Sequence, residues 1–222
     1  MTTGAETRPR ARGIPDALAR AENRIVRPRD LCDVYRNAPA DFARMAERGL
    51  LAHVAHGYYA VVPERQRGRN WRPAIEGVAL GIAVADYGQD QAALMGIAAA
   101  RMLGAVPRAL NTAVVAIARQ RPALETAFGR VHFVKRAIAT LDLQRVETPL
   151  VDGYTTTAEQ TVLDLAARPT LGGITEATVK EAVRALWPRC NADLVYDLAR
   201  RQLKEHAWRR LKVELALQDR AA

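Results

Sequence analysis

Cysteine is nearly absent: Cys32 and Cys190 are the only two in 222 residues, far apart, with no C-x-x-C and no histidine pair beside either. That argues against a disulfide framework or a thiolate metal site and predicts two buried thiols in a reducing, cytoplasmic setting. Lysine is almost as scarce, occurring only at Lys135, Lys180, Lys204 and Lys212, so the basic charge is nearly all arginine. Long apolar runs are missing too. The two longest, "GVALGIAVA" and "AALMGIAAA", are split by "DYGQDQ", and each falls well below the roughly 20 residues that span a bilayer. The opening "MTTGAETRPRARGIP" is basic but has no apolar stretch behind it, so it is not read as a signal peptide. No G-x-S-x-G elbow, Walker loop or dinucleotide fingerprint occurs, and no Glu-x-Lys of the kind restriction-type nucleases use. The expectation is a protein that is not an enzyme and holds no cofactor or metal.

What is present is an ordinary globular composition, 49% hydrophobic and 26% charged, at a length that fits one large or two small domains. The formal charge is +9 and uneven. Residues 1–72 hold 14 arginines against 8 acidic residues, a net of +6, and the remainder holds 19 basic against 16 acidic, a net of +3. A GC-rich genome raises arginine content by itself, but guanidinium forks also suit phosphates and base edges. The N-terminal third therefore carries the stronger nucleic-acid signal.

That third reads as three short helices and a hairpin. "IPDALARAEN" has Pro15 at an early helical position and Ile14, Leu18 and Ala21 at helical spacing. "RPRDLCDVYRN" predicts a second helix with Leu31, Val34 and Tyr35 on one face, ending at Asn37. "PADFARMAERG" predicts a third, burying Phe42, Met45 and Ala46 and stopping at Gly49. Next, "LLAHV" and "YYAVV" are strand-like, and the His-Gly between them suits a hairpin turn. This is the order of a winged helix-turn-helix domain, whose third helix enters the major groove with the hairpin beside it. His53 and His56 invite a metal reading, but their odd spacing on a strand sends them to opposite faces and further ligands would be needed.

"PERQRGRNWRP" reads as a basic linker, with Trp71 packing against one of its flanking domains. Beyond it, "AIEGVALGIAVADYGQDQAALMGIAAARMLGAVP" reads as two alanine-rich helices that approach closely through small residues. "NTAVVAIA", "RVHFVKRA", "LDLQRVETPLV" and "GYTTT" lean to strand, whereas "TAEQTVLDLAARP", "TEATVKEAVRALWP" and a long last stretch from about Ala192 to Gln218 are helical. The expected fold class is α+β: an N-terminal winged helix-turn-helix domain followed by a mixed α+β domain with terminal helices. The expected divisions are a flexible basic arm over 1–13, a DNA-binding domain over 14–63, a basic linker over 64–72 and a second domain over 73–222.

Three segments, "GLLAHVAHGYYAVVP", "ALMGIAAARMLGAVPRALNTAVVAI" and "YTTTAEQTVLDLAARP", together give the chain a resemblance to the AbiEi family of antitoxins. The resemblance runs over most of the chain, from Ile14 to Cys190. It implies a bacterial protein of a toxin–antitoxin operon whose partner toxin resembles nucleotidyltransferases. It further implies that the N-terminal domain represses the protein's own operon while the second domain carries antitoxicity. The family brings no catalytic motif. Within the third segment Thr157 and Gln160 have the form of a capping box, which serves either as a helix N-terminus alone or also as a partner contact.

The residues expected to meet DNA are Arg36 and Asn37 before the third helix, Arg44 and Arg48 on its face opposite Phe42 and Met45, His56 at the hairpin turn, and Arg65, Arg67 and Arg69 after it. Asp41 and Glu47 share the helix face, and a solvated surface is the plain alternative for any one of these residues. If about six cations neutralise phosphates, log affinity falls with log salt at a slope of roughly −5. Arg8, Arg10 and Arg12 either reach a minor groove or form a solubilising tail. Late in the chain, Arg200, Lys204, Arg209 and Lys212 read as the solvated face of a helix that packs through Leu203, Trp208, Leu211 and Leu215, or else as a basic surface for RNA or operon DNA. The expected partners are operator DNA upstream of its own operon and a cognate nucleotidyltransferase-like toxin. The alternative is a stand-alone winged-helix transcriptional regulator whose C-terminal domain dimerises or senses a ligand.

Overall fold

A computed structural model of the chain describes Leu18 and residues 21–219. The expected basic arm and most of "IPDALARAEN" lie outside them. The architecture is mixed α+β, with a three-stranded sheet near the N-terminus and a six-stranded sheet covered on both faces by helices.

The small sheet has the order β1–β3–β2 and is antiparallel throughout, with β1 at Ile25–Val26, β2 at Leu51–Ala55 and β3 at Tyr58–Val61. Helix α1, Ala38–Glu47, precedes the hairpin. Its start is local chemistry: the Asn37 side chain accepts from the Ala40 amide, Pro39 sits in the first turn, and Asp41 there complements the helix dipole. Its end is Gly49, which turns the chain at φ +70°. Phe42 and Met45 are buried, as expected, with Leu18, Val26, Leu51 and Val61 in a small core.

The second helix is a correction. "RPRDLCDVYRN" forms one 3-10 turn, Pro28–Leu31, followed by turns, and Val34 is 55% exposed rather than part of an apolar face. The residues before it leave as strand β1 and Asn37 is committed to capping α1, so the segment between is too short to hold an α-helix without tertiary cover. Cys32 is consequently exposed rather than buried, and Cys190 is half-buried. Burial, then the charge of Glu159, pushes the Cys190 thiol up to about 12.

The larger sheet has the order β6–β7–β5–β4–β9–β8. Its strands are β4 (Ala92–Leu94), β5 (Thr112–Ile117), β6 (Leu124–Thr126), β7 (Gly129–Lys135), β8 (Leu143–Glu147) and β9 (Asp152–Thr156). β4–β9 and β5–β7 are parallel, and the other pairings are antiparallel. All of β5 is buried, which explains its unbroken apolar run. Val114 and Ala116 join the cluster of α3 (Gly96–Met102), α4 (Ala158–Ala167), α5 (Glu176–Leu186), α6 (Ala192–Arg201) and α7 (Glu205–Asp219). Ala113, Val115 and Ile117 join that of α2, Ile75–Tyr87. The two alanine-rich helices are therefore not a simple packed pair: strand β4 lies between them in the chain and they belong mostly to different clusters, although Ala98 of α3 shares the cluster of α2 and Arg101 Nε donates to Glu76 Oε1 of α2 at 2.5 Å. The long last helix is also two, broken at an elbow where Leu203 takes φ +54° and is 82% exposed, so Leu203 is not on a packed face. Lys204 there turns inward, its Nζ 2.7 Å from Asp164 Oδ1.

Both faces of the hairpin are covered. Val61 and Tyr59 pack with α1, whereas Tyr58 and Ala60, together with Ile25 and Val54, belong to the same apolar cluster as α2. The approach is close, since a Cβ on Gly81 would lie 2.4 Å from Ile25 Cγ1. Polar links reinforce it: Asn23 Nδ2 donates to Gly81 O at 2.8 Å, Arg24 N to Leu150 O at 2.7 Å, and Ala127 N to Val54 O at 2.8 Å.

Candidate nucleic-acid interface

Helix α1 lies along the hairpin. Phe42, in its first half, meets the Tyr59 ring edge-on at 5.3 Å near the turn, and Leu50, just past its end, accepts from the Val62 amide at the hairpin root. Tyr35 against Phe42 at 5.9 Å and His53 against Tyr59 at 5.3 Å complete a row of edge-to-face rings. Arg36 and Asn37 thus lie toward the turn, and Arg48 toward the root, where Arg65, Arg67 and Arg69 follow.

Arg36, Asn37, Arg44, Arg48, His56, Arg65 and Arg69 are exposed, and Arg67 is partly covered. Arg44 and Arg48 are one helical turn apart on the outer face. Arg44 Nη1 is 2.9 Å from Asp41 Oδ1, so a partner anion would compete with that carboxylate. The Asn37 oxygen is spent on capping, leaving its amide N–H groups outward. His56 shares the turn with Gly57, whose φ of +78° is what a tight hairpin turn requires. The fold does not gather every expected residue: His56 and the Arg65–Arg69 segment are at opposite ends of the hairpin.

Sequence reasoning missed what holds this face in place. Asp86, at the end of α2, has a side chain 9% exposed. It accepts from Arg27 and Arg121, from Arg29 at 3.1 Å and from the Tyr58 hydroxyl at 2.6 Å. Burial works against its charge, but the Tyr58 hydrogen bond and the Arg121 and Arg27 guanidinium groups outweigh it and hold the carboxyl below its ordinary range. Arg121 also lies over the Phe133 ring at 4.4 Å. These partners come from three distant points of the chain, Arg27 with Arg29, Tyr58 and Arg121, so spacing gives no signal of the cluster.

A second node lies within the helical layer. Thr157 caps α4, accepting from the Gln160 amide, and its own hydroxyl donates to Asp142 Oδ2 at 2.7 Å. Gln160 does not reach back as a full capping box would. It is wholly buried, accepts from Gln202 Nε2 at 2.5 Å and donates to Asp164 Oδ1 at 3.1 Å. Asp164 also takes Arg136 at 3.1 Å and Lys204 at 2.7 Å. Gln160 therefore ties α4 to the α6–α7 elbow and is not a partner contact. Of the late basic residues, Lys204 belongs to this node, whereas Arg200, Arg209 and Lys212 are exposed.

No helix among the described residues is long and apolar enough to cross a membrane. No protein-family model matches the chain, and no curated protein matches it. Among solved structures it is similar to the RV2827C protein from Mycobacterium tuberculosis, with a TM-score of 0.57 and 17% identity over 90% of this chain and 78% of that one. At that identity the likeness concerns the fold.

Proposed function

We propose that the protein is the antitoxin of a toxin–antitoxin operon, which counteracts a nucleotidyltransferase-like toxin and represses its own operon by winged-helix DNA binding. The observation that carries the DNA half is the exposed outer face of α1, with Arg44 and Arg48 one turn apart, laid along a hairpin from whose root a run of arginines departs. Phosphate contacts from such a face position a helix in the major groove, and groups such as the Asn37 amide supply base contacts. The antitoxin half rests on the three sequence segments that resemble the AbiEi family.

One observation favours the regulator alternative. A cavity of about 320 Å³ lies between α4, α5 and α7, walled by Val179, Val183 and Leu211 and rimmed by the Lys180–Glu214 ion pair at 3.1 Å. A volume of that order suits a small ligand. The test uses the intact chain. Co-expression with the neighbouring toxin gene restores growth if it is an antitoxin. Failure to do so, with binding to its own upstream DNA retained, leaves the regulator reading instead.

A further inference from the structure

A cleft of about 550 Å³ opens where the hairpin root, the segment after it and the β8–β9 turn meet. Arg24, Arg65 and Arg67 line it together with Trp71, Pro63 and Pro149, and Glu64 is the one acidic residue on its wall. Among the described residues, neither Arg24 nor Arg65 has a side-chain partner. Arg67 Nη1 stands 3.8 Å from Glu64 Oε1, beyond hydrogen-bond range, and its Nε is buried with no acceptor. A buried N–H without an acceptor is costly, and such groups are rare in folded proteins. Three guanidinium groups against one carboxylate give the recess a surplus of donors and positive charge, next to an indole and two prolines.

We propose that this cleft binds a free nucleoside phosphate, its phosphate chain on Arg24, Arg65 and Arg67 and its base against Trp71. Planar, forked guanidinium donors match phosphate oxygens, and the indole face accepts a stacked base. The volume lies inside the range of roughly 300–1,000 Å³ usual for small-ligand sites. A recess walled by three guanidinium groups favours a small anion over a duplex backbone, because an ion that enters it meets all three at once, whereas a phosphate passing over the surface does not. Arg65 and Arg67 also belong to the proposed DNA face, so a bound nucleotide weakens operator binding. That last consequence rests on the DNA-binding reading; nucleotide binding itself does not.

The experiment titrates the intact protein, without DNA, with adenosine triphosphate, guanosine triphosphate, inorganic triphosphate and adenosine, by calorimetry and tryptophan fluorescence. The expected result is saturable binding of the nucleotides, with inorganic triphosphate and adenosine each weaker by about tenfold or more. Arg24→Gln and Arg67→Gln each weaken binding by a similar factor, and circular dichroism verifies their fold. Trp71→Phe removes the fluorescence change, and Arg44→Gln leaves nucleotide affinity as it was. Absence of binding at millimolar nucleotide, or unchanged affinity in both cleft variants, overturns the proposal. Equal affinity for inorganic triphosphate overturns the base contact and, with it, the nucleotide. If nucleotides fail to bind while Arg24→Gln weakens DNA binding, the cleft serves a backbone phosphate and the proposal is wrong, although the DNA reading survives.

Discussion

Replacing Asp86 with asparagine tests the junction between the hairpin and the rest of the protein. The change is nearly isosteric, so packing is kept while Arg27, Arg29 and Arg121 lose their shared carboxylate. Removing one partner of a fully buried ion pair costs about 3–5 kcal/mol. Here Arg29 is 68% exposed, whereas Arg27 and Arg121 are 13% and 19% exposed, so solvent screening lowers the expected loss to about 2–4 kcal/mol. Set against a total stability of about 5–15 kcal/mol, that lowers Tm at pH 7 by roughly 5–15 °C for a chain of this size. The pH dependence has a definite sign. The folded pKa of Asp86 lies below its ordinary value of 3.8, so the carboxylate's contribution is complete well above that value and fades as pH falls through it toward the folded pKa. The gap in Tm between wild type and Asp86→Asn, followed by calorimetry, therefore narrows below about pH 4. A variant within a degree of wild type at pH 7, or a gap that widens on acidification, would refute the reasoning.

The close approach at Gly81 predicts that Gly81→Ala destabilises the protein by about 1–3 kcal/mol in urea unfolding, because its Cβ must push Ile25 aside. That overrides the helix-propensity gain of about 0.5–1 kcal/mol from leaving glycine, and a stabilised variant would mean that β1 does not press on α2. At the elbow, Leu203 holds a left-handed conformation with its side chain in solvent. Leu203→Gly is expected to raise stability by about 0.5–1 kcal/mol in the same assay, whereas a loss would show that the leucine contributes packing.

How much of this was legible depended on whether the cause was local. Helix α1 and the hairpin were readable because Asn37, Pro39, Gly49 and His56-Gly57 act on their own neighbours, and Phe42 and Met45 mark one face. The strands β5, β7 and β9 announced themselves through residues of high strand propensity with turns between them, and β8 through its place between turn residues. Ala92–Leu94 did not, since a buried three-residue strand rich in alanine has the composition of a helix interior and no period to separate the two. The elbow at Leu203 was hidden for a different reason: Lys204 leaves the helical face to reach Asp164, forty positions earlier. For the proposed DNA face, charge alone suggested the candidate arginines. What could not be seen was the second covered face of the hairpin, because Ile25, Tyr58, Gly81, Asp86 and Arg121 meet only in the folded chain. A hairpin packed on both sides is a fixed platform, and the outer face of α1 and the turn at His56 are exposed on it.

The central claim is that this platform presents α1 and the following arginines to operator DNA. The most direct measurement is fluorescence anisotropy of the intact protein with DNA from upstream of its own gene, titrated across salt concentrations, for wild type and for Arg44→Gln/Arg48→Gln. The expected wild-type dependence of log affinity on log salt has a slope of roughly −5. The double variant is expected to bind more weakly, with a slope shallower by about 2. A slope near zero, or a double variant that binds as tightly as wild type with the same slope, would contradict it.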